Sequence, residues 1–522
     1  MEYIFETKKE KTQTGTTTII SAALNGIEGT LVDVEVDISN GLPSFCIVGL
    51  PDTAISEARD RVRSAIKNSG FRFPDKRVTV NLAPAHTKKG GSAFDAAIAI
   101  GILVASKQIQ AIDGIICGEL ALDGRIRSIK GMLALLRWIL ESNTNLPVYF
   151  PTENSDIVSF IPNNISFPVE KITDIALGVP ANKKKIEAGT TSKSLRNNNY
   201  NNTIDFSDII GQTIVKRAAE IAAAGHHHML ISGPPGVGKS MIAQALPSIL
   251  PPLSASESIT SASIHSLSGE YISVLYGRRP VQTPHHSASM SAMVGGGASI
   301  KPGTISLAHN GILFMDELPE FRRDVLESLR QPFEQGEITI SRASGIVTYP
   351  AQFLFIGTKN PCPCGYYAIQ SQSHQVKQCI CSPSEIHRYH KKLSGPLVNR
   401  IDIIVQARYI PPEDLIQHKK RSHQQESSQT IRARVEQARN RQLTRQGILN
   451  GLLRSSTDSS WILSKEVESI LTLAMNEHQL SARSYSKTIG IARTIADLEN
   501  SMLIEASHIT EALTYTLGFS TE

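Results

Sequence analysis

Apolar and polar positions follow two rhythms along this chain. The runs "LVDVEVDI", "FCIVGL", "RVTVNL" and "PVYF" lie between Leu31 and Phe150 and have the short, β-rich character of strands. Between them, "AISEARDRVRSAIKNSG" repeats its apolar residues at helical spacing. The segment "AAIAIGILVA" from Ala96 is apolar throughout but falls short of the ~20 residues a bilayer span needs, so it predicts a buried helix. Residues 1–180 therefore predict a mixed α/β domain of α+β type. The polar stretch "PANKKKIEAGTTSKSLRNNNYNN" predicts a flexible linker over 181–203, and its Lys183–Lys185 run reads as a solvated charge cluster. A second α/β segment covers 204–410. The apolar spacing of "SKEVESILTLAMNEHQL" and "TIGIARTIADLENSMLIEA" predicts a helical region over 411–522.

Bulk numbers add little to this picture. At 522 residues the chain has room for several cores, and a formal net charge of +5 permits a polyanionic partner without demanding one. The polar amino terminus lacks a signal-peptide core, which predicts a cytoplasmic protein without membrane contact. In that compartment clustered cysteines point to metal rather than to disulfides.

The strongest chemical signal is "HMLISGPPGVGKSMIAQAL". Gly233, Pro234, Pro235, Gly236, Val237, Gly238, Lys239 and Ser240 fit a phosphate-binding loop between an apolar strand and a helical pattern. Its backbone N–H groups would surround the phosphates of ATP, Lys239 would reach the β and γ groups, and Ser240 would ligate Mg²⁺. Downstream, "GILFMDELPE" is an apolar strand ending in Asp316 and Glu317. Asp316 suits the magnesium shell, and Glu317 suits the base that polarises the attacking water.

A second signal is "NPCPCGYYAIQSQSHQVKQCICSP". Cys362, Cys364, Cys379 and Cys381 form two C-x-C pairs, which match tetrahedral Zn²⁺. His374 is an alternative ligand, and an iron–sulfur cluster or four unbound thiols are the other readings of this spacing. Cys46 and Cys117 lie in apolar runs and are expected to be buried. The histidines His226–His228 and His285–His286 are expected in structural or polar-contact roles, since neighbours on a strand or helix point apart.

These motifs resemble the AAA+ ATPases. "FSDIIGQTIVKRAAEIAAAG", with Asp208, Ile210, Gly211 and Gln212, is similar to that family's adenine-side segment. "FLFIGTKN" resembles its sensor strand, which implies that Asn360 lies near the γ-phosphate. "LSGPLVNRIDIIV" resembles the arginine-finger segment, with Arg400 reaching a neighbouring subunit's nucleotide. "LSARSYSKTIGIARTIADL" resembles the lid's sensor helix, with Arg483 the preferred sensor and Arg493 second. The finer resemblance, carried by "PHHSASMSAMVGGGASIKPGTISLAHNGILFMDELPEF" and "LRQPFEQGEITISRASGIVTYPAQFLFIGTKNPCPCG", is to the magnesium-chelatase-like branch and, within it, the ComM/YifB family. Val281 and Gln282 depart from an expected aromatic–arginine pair, and "IGTKN" departs from a more apolar lead-in.

The resemblance implies an ATP-dependent, homohexameric DNA translocase or helicase acting in branch migration during natural transformation. Single-stranded and branched DNA and the recombinase machinery are its implied partners. The competing reading is a chelatase motor that drives metal insertion into tetrapyrroles. "VGGGASIKPG" and "EITISRASGIVTYP" read as hairpins that in related ring helicases face the central channel. Arg342, Lys301, Arg278 and Arg279 would supply their cations toward a DNA backbone. The amino-terminal stretch resembles the proteolytic domain of Lon proteases, with Ser92 where the nucleophile lies and Leu133 where the partner lysine lies. A serine without a base is a poor nucleophile, so this domain is expected to be proteolytically inactive. A ring layer or DNA contacts through Lys88 and Lys89 are its expected roles.

Overall fold

The computed structural model describes residues 16–49, 53–84, 92–142, 144–158, 161, 165–178, 204–269, 277–297, 300–342, 345–367, 378–410, 425–453, 461 and 463–517. Lys88, Lys89, the 181–203 linker and His374 lie outside them. The described residues fall into two compact units. One is drawn from Met1–Asn197 with Ser258–Tyr276, the other from Asn198–Glu257 with Gly277–Glu522.

The first unit is built on a seven-stranded mixed sheet in the order Ser44–Val48, Arg77–Ala83, Glu28–Ser39, Thr16–Asn25, Ile115–Ile116, Val148–Pro151, Ser166–Val169. Alternation sets its faces: Val32, Val34 and Val36 are buried while Asp33 and Glu35 are exposed. The antiparallel register Val34↔Leu82 and Val36↔Val80 stacks buried residues on one side. Helix Asp95–Ala105 is buried from Asp95 through Leu103, as its unbroken apolar run requires. Cys117 is buried, but Cys46 is exposed, which corrects the expectation for it. The strand Ser44–Val48 is at the sheet edge, and its alternation turns the half-buried Phe45 and Ile47 toward the core and Cys46 away.

The second unit holds a five-stranded, wholly parallel sheet in the order Val281–Gln282, Ile312–Met315, Leu354–Lys359, Met229–Ser232, Ile403–Gln406. "ILFM", "MLIS" and "LFIGTK" are buried at every position, as strands covered on both faces must be. The register Ser232↔Lys359 and Met315↔Gly357 aligns the carboxyl ends, so the residues that follow emerge along one edge.

The carboxyl-terminal helices Ser428–Gln446, Ala482–Leu498 and Ala506–Thr516 share one core with this sheet and with helix Thr213–Gly225, through Val435, Ala438, Ile491, Ile495 and Ala512. Arg439 donates through Nε and Nη2 to the Ala223 carbonyl at 2.9 and 2.7 Å, and Gln442 donates to Ala224 at 3.3 Å. These bonds satisfy carbonyls at the end of Thr213–Gly225 that have no partner within the helix. Among the described residues no helix is long and apolar enough to cross a membrane.

Candidate functional site

The phosphate loop joins strand Met229–Ser232 to helix Lys239–Ala245. Gly236 and Gly238 take φ of 80° and 89°, which only glycine adopts without strain and which leaves the loop backbone open to a ligand. Lys239 is 8% exposed, and its ammonium donates to the carbonyls of Gly233 (2.7 Å) and Pro234 (2.8 Å) and to Asn360 Oδ1 (3.0 Å). Burial lowers its pKa to about 8, against the opposing pull of Asp316 and Glu317.

Asp316 and Glu317 follow strand Ile312–Met315, which is separated from Met229–Ser232 by Leu354–Lys359, and emerge at the same edge. Ser240 Oγ donates to Asp316 Oδ2 at 2.9 Å, bringing together two hard oxygens of the kind Mg²⁺ takes. Asp316 is held from behind by the hydroxyl of Thr358, and the same hydroxyl accepts from Glu317 N at 3.0 Å. Glu317 has φ 51° and ψ 51°, a left-handed conformation disfavoured for a side-chain-bearing residue; it turns the chain at the strand end and leaves the carboxylate exposed. Thr358 was not among the expected site residues. Its sole sequence signal was the polar "IGTKN" lead-in.

On the other side of the loop, Gln212 (φ 52°) donates through Nε2 to Val237 O at 3.2 Å and Arg408 O at 2.7 Å, and accepts from Arg408 N at 3.2 Å. It pins the phosphate loop to the end of strand Ile403–Gln406. Half-buried Ile210 and Gly211 precede it, whereas Asp208 caps its own turn by accepting from Asp205 N at 3.0 Å.

The arginines separate into two groups. Arg400 donates to Pro396 O at 2.6 Å and to the Glu334 carboxylate, and Arg483 is 3.6 Å from that same carboxylate. Both line a cleft of ≈ 570 Å³ to which none of residues 233–240 contributes. Glu334, unforeseen in the sequence, is the anion between them. Arg493 departs from the sensor expectation: it is 4% exposed and bonded to Asp497 and to the carbonyls of Met502 (2.9 Å) and Ser501 (2.6 Å). Its donors are spent inside the helical packing.

The two expected hairpins pair as Gly295–Gly296 with Lys301–Pro302 and as Glu337–Arg342 with Gly345–Pro350. Tyr349 Oη donates to Ile300 O at 2.7 Å, joining one to the other, and a Cβ on Gly296 would lie 3.5 Å from the Arg342 guanidinium. Arg342 and Lys301 are exposed, and Arg278 is half-buried. Arg279 is a correction: it donates to Pro251 O (2.7 Å) and Asn310 O (2.7 Å) and pairs with Glu257 at 3.4 Å, so it braces the start of the insert.

All four clustered cysteines come together, with Cys362–Cys364, Cys364–Cys379 and Cys362–Cys379 sulfur separations of 3.3, 3.5 and 3.7 Å and every Sγ within 4.8 Å of the others. A single ion with ~2.3 Å metal–sulfur bonds in a tetrahedron places its sulfurs about 3.8 Å apart, so this cluster can hold one metal ion. A multi-iron cluster needs wider spacing.

His227 Nε2 is 2.8 Å from Thr494 Oγ1, while His228 accepts at Nδ1 from Phe355 N at 3.2 Å and its backbone N–H donates to Asp402 Oδ2 at 3.0 Å; all are packing contacts. The rings of His285 and His286 stack at 4.1 Å rather than pointing apart, because they lie in a loop and turn where strand or helix alternation does not operate. In the first unit, Ser92 Oγ donates to Glu119, and Leu133 is buried beside Ile161 and Ala262.

A phosphate loop, an acidic strand end and a polar strand end on one edge of a parallel sheet define an ATPase of the magnesium-chelatase-like AAA+ class. Residues 205–415 match the family described as magnesium chelatase, subunit ChlI; residues 34–154 match subunit ChlI of Mg-chelatase, and 425–516 match the ChlI C-terminal family. The chain is 40% identical over 503 residues to "Competence protein ComM" of Haemophilus influenzae, covering 95% of this chain and 96% of that one. It is 41% identical over 498 residues to "Uncharacterized protein YifB" of Salmonella typhimurium, covering 94% and 95%. A match to the "Magnesium-chelatase 38 kDa subunit" of Rhodobacter capsulatus is 26% identical over 174 residues, covering 30% of this chain and 50% of that one. The chain belongs to the ComM/YifB family.

Proposed function

We propose that this protein is a cytoplasmic ATP-driven DNA motor, assembled as a homohexamer, that moves branched and single-stranded DNA during recombination in natural transformation. The observation that carries this reading is the joined pair of hairpins, with exposed Arg342 and Lys301, in the unit that holds the phosphate loop. Exposed cations on paired hairpins suit a sequence-independent grip on phosphates. The near end-to-end match to a protein named for competence supports the biological setting. The match to a protein named as a chelatase subunit covers only 30% of this chain, at 26% identity.

In this mechanism Lys239 holds the β and γ phosphates, Ser240 and Asp316 hold magnesium, and Glu317 accepts the proton of the attacking water. Magnesium, when bound, draws charge from the phosphates. Asn360 hydrogen-bonds the γ-phosphate, and Arg400 and Arg483 of one protomer stabilise charge on its neighbour's nucleotide. The cysteine cluster holds Zn²⁺. We read the first unit as proteolytically inactive, because the buried Leu133 stands where the Lon-like arrangement places its lysine base.

The test is ATP turnover with single-stranded DNA, a branched junction, or unfolded protein added. We expect DNA alone to stimulate it, Glu317→Gln to bind nucleotide without turnover, and Arg342→Ala to weaken DNA binding while basal turnover survives. Identical rates with and without DNA, together with no strand displacement, would overturn the reading.

A further inference from the structure

The cysteine cluster and the nucleotide site are parts of one continuous segment. Strand Leu354–Lys359 ends at Asn360, whose side chain accepts from Lys239, and fully buried Cys362 follows one residue beyond Pro361. The link between them is short and held from the side: Pro361 O lies 3.0 Å from His390 Nε2. Past Cys364, Gly365 has φ 86°, and a Cβ there would lie 2.6 Å from Pro235 Cδ. The cysteine loop therefore rests directly on the wall of the phosphate loop. Between the two cysteine pairs the chain is polar ("IQSQSHQVKQ"), with too little apolar surface to hold the loop by packing.

Four sulfur donors within 4.8 Å of one another match the tetrahedral ligand set of a single ion. An ion that fixes Cys362 and Cys364 also fixes both ends of the only covalent path between Asn360 and the Pro235 contact. Lys239 and Ser240, by contrast, are positioned by their own strand and helix.

We propose that a zinc ion held by Cys362, Cys364, Cys379 and Cys381 is a positioning element for ATP hydrolysis, fixing Asn360 and the Pro235 wall against the phosphates. ATP turnover depends on this ion, and ATP binding does not. The inference rests on Asn360 acting as the phosphate sensor, and it is independent of DNA.

The experiment uses the full chain without DNA. Zinc per protomer is measured by elemental analysis, affinity with a fluorescent ATP analogue, and basal kcat by phosphate release. We expect one zinc per protomer, lost in Cys379→Ser/Cys381→Ser. That variant should keep its circular dichroism spectrum, hold its nucleotide Kd within about twofold, and lose about tenfold or more in kcat, the scale of disrupted support around a site. Chelating the wild-type protein should reproduce the loss, and added zinc should reverse it. Asn360→Ala in the cysteine variant should cost nothing further, because coupled residues are not additive.

Full kcat in zinc-free protein would overturn the proposal, as would iron–sulfur absorbance, protein purified without metal, or additive losses. A cysteine variant that fails to fold shifts the decision to the chelation arm. Absent DNA stimulation would count against the motor reading and leave these outcomes unaffected.

Discussion

Lys239 and Asn360 are joined by a 3.0 Å hydrogen bond across two adjacent parallel strands, so the residue proposed to grip the phosphates and the one proposed to sense them are directly linked. Nucleotide binding also depends on the charge state of Lys239.

With its pKa lowered to about 8 by burial, Lys239 is charged below that value and increasingly neutral above it. A polyanionic nucleotide favours the charged form. ATP affinity should be flat below pH 8 and fall by up to about tenfold per unit above it, with uptake of a proton on binding. Titration calorimetry at pH 9 in buffers of different ionisation enthalpy measures that proton. Folding moves the opposite way: the unfolded lysine keeps its proton up to its ordinary value, so the contribution to stability rises between pH 8 and about 10.4. Pure pH-independence of ATP affinity from 7 to 9.5 would contradict the assignment.

Arg400 and Arg483 converge on Glu334 in a cleft apart from their own phosphate loop. If they serve a neighbour, Arg400→Ala should lose on the order of 10³-fold in kcat with little change in nucleotide affinity. Mixing inactive Lys239→Ala and Arg400→Ala protomers should restore about a quarter of the active junctions, since each intact site then borrows one residue from each variant. No recovery on mixing would place Arg400 in its own subunit's chemistry.

Asp497 is 1% exposed and accepts from Arg445 at 2.7 and 2.9 Å, from Asn450 at 3.0 Å and from Arg493. Asp497→Ala leaves a buried guanidinium without its counter-charge and should destabilise the second unit by about 3–5 kcal/mol. Urea unfolding followed by Trp461 fluorescence should show a lower midpoint at unchanged slope. An unaltered midpoint would mean that the arginines find other partners.

Much of this architecture could be read from local pattern. Period-two alternation marked Glu28–Ser39 and Arg77–Ala83, and unbroken apolar runs marked the buried parallel strands. The phosphate loop and the hairpins were legible because their chemistry is concentrated in consecutive residues. What escaped depends on pairing across the sheet. Thr358 looks like any strand threonine until its strand lies beside Asp316. Glu334 is one glutamate among many until two arginines meet it. Arg279 and Arg493 are indistinguishable in sequence from exposed cations, and only tertiary neighbours show that their donors are occupied. Cys46 was misjudged because an apolar run does not say which of its faces the sheet covers.

The shared core between the parallel sheet and the carboxyl-terminal helices has a practical corollary for dissecting the chain. A fragment ending near Ile410 would strip helix Thr213–Gly225 of the helices Ser428–Gln446 and Ala482–Leu498 that pack on it, turning its covered side into a greasy, aggregation-prone surface. The ATPase half should be expressed through Thr516, so that its parallel sheet and its final helices are inherited as one piece.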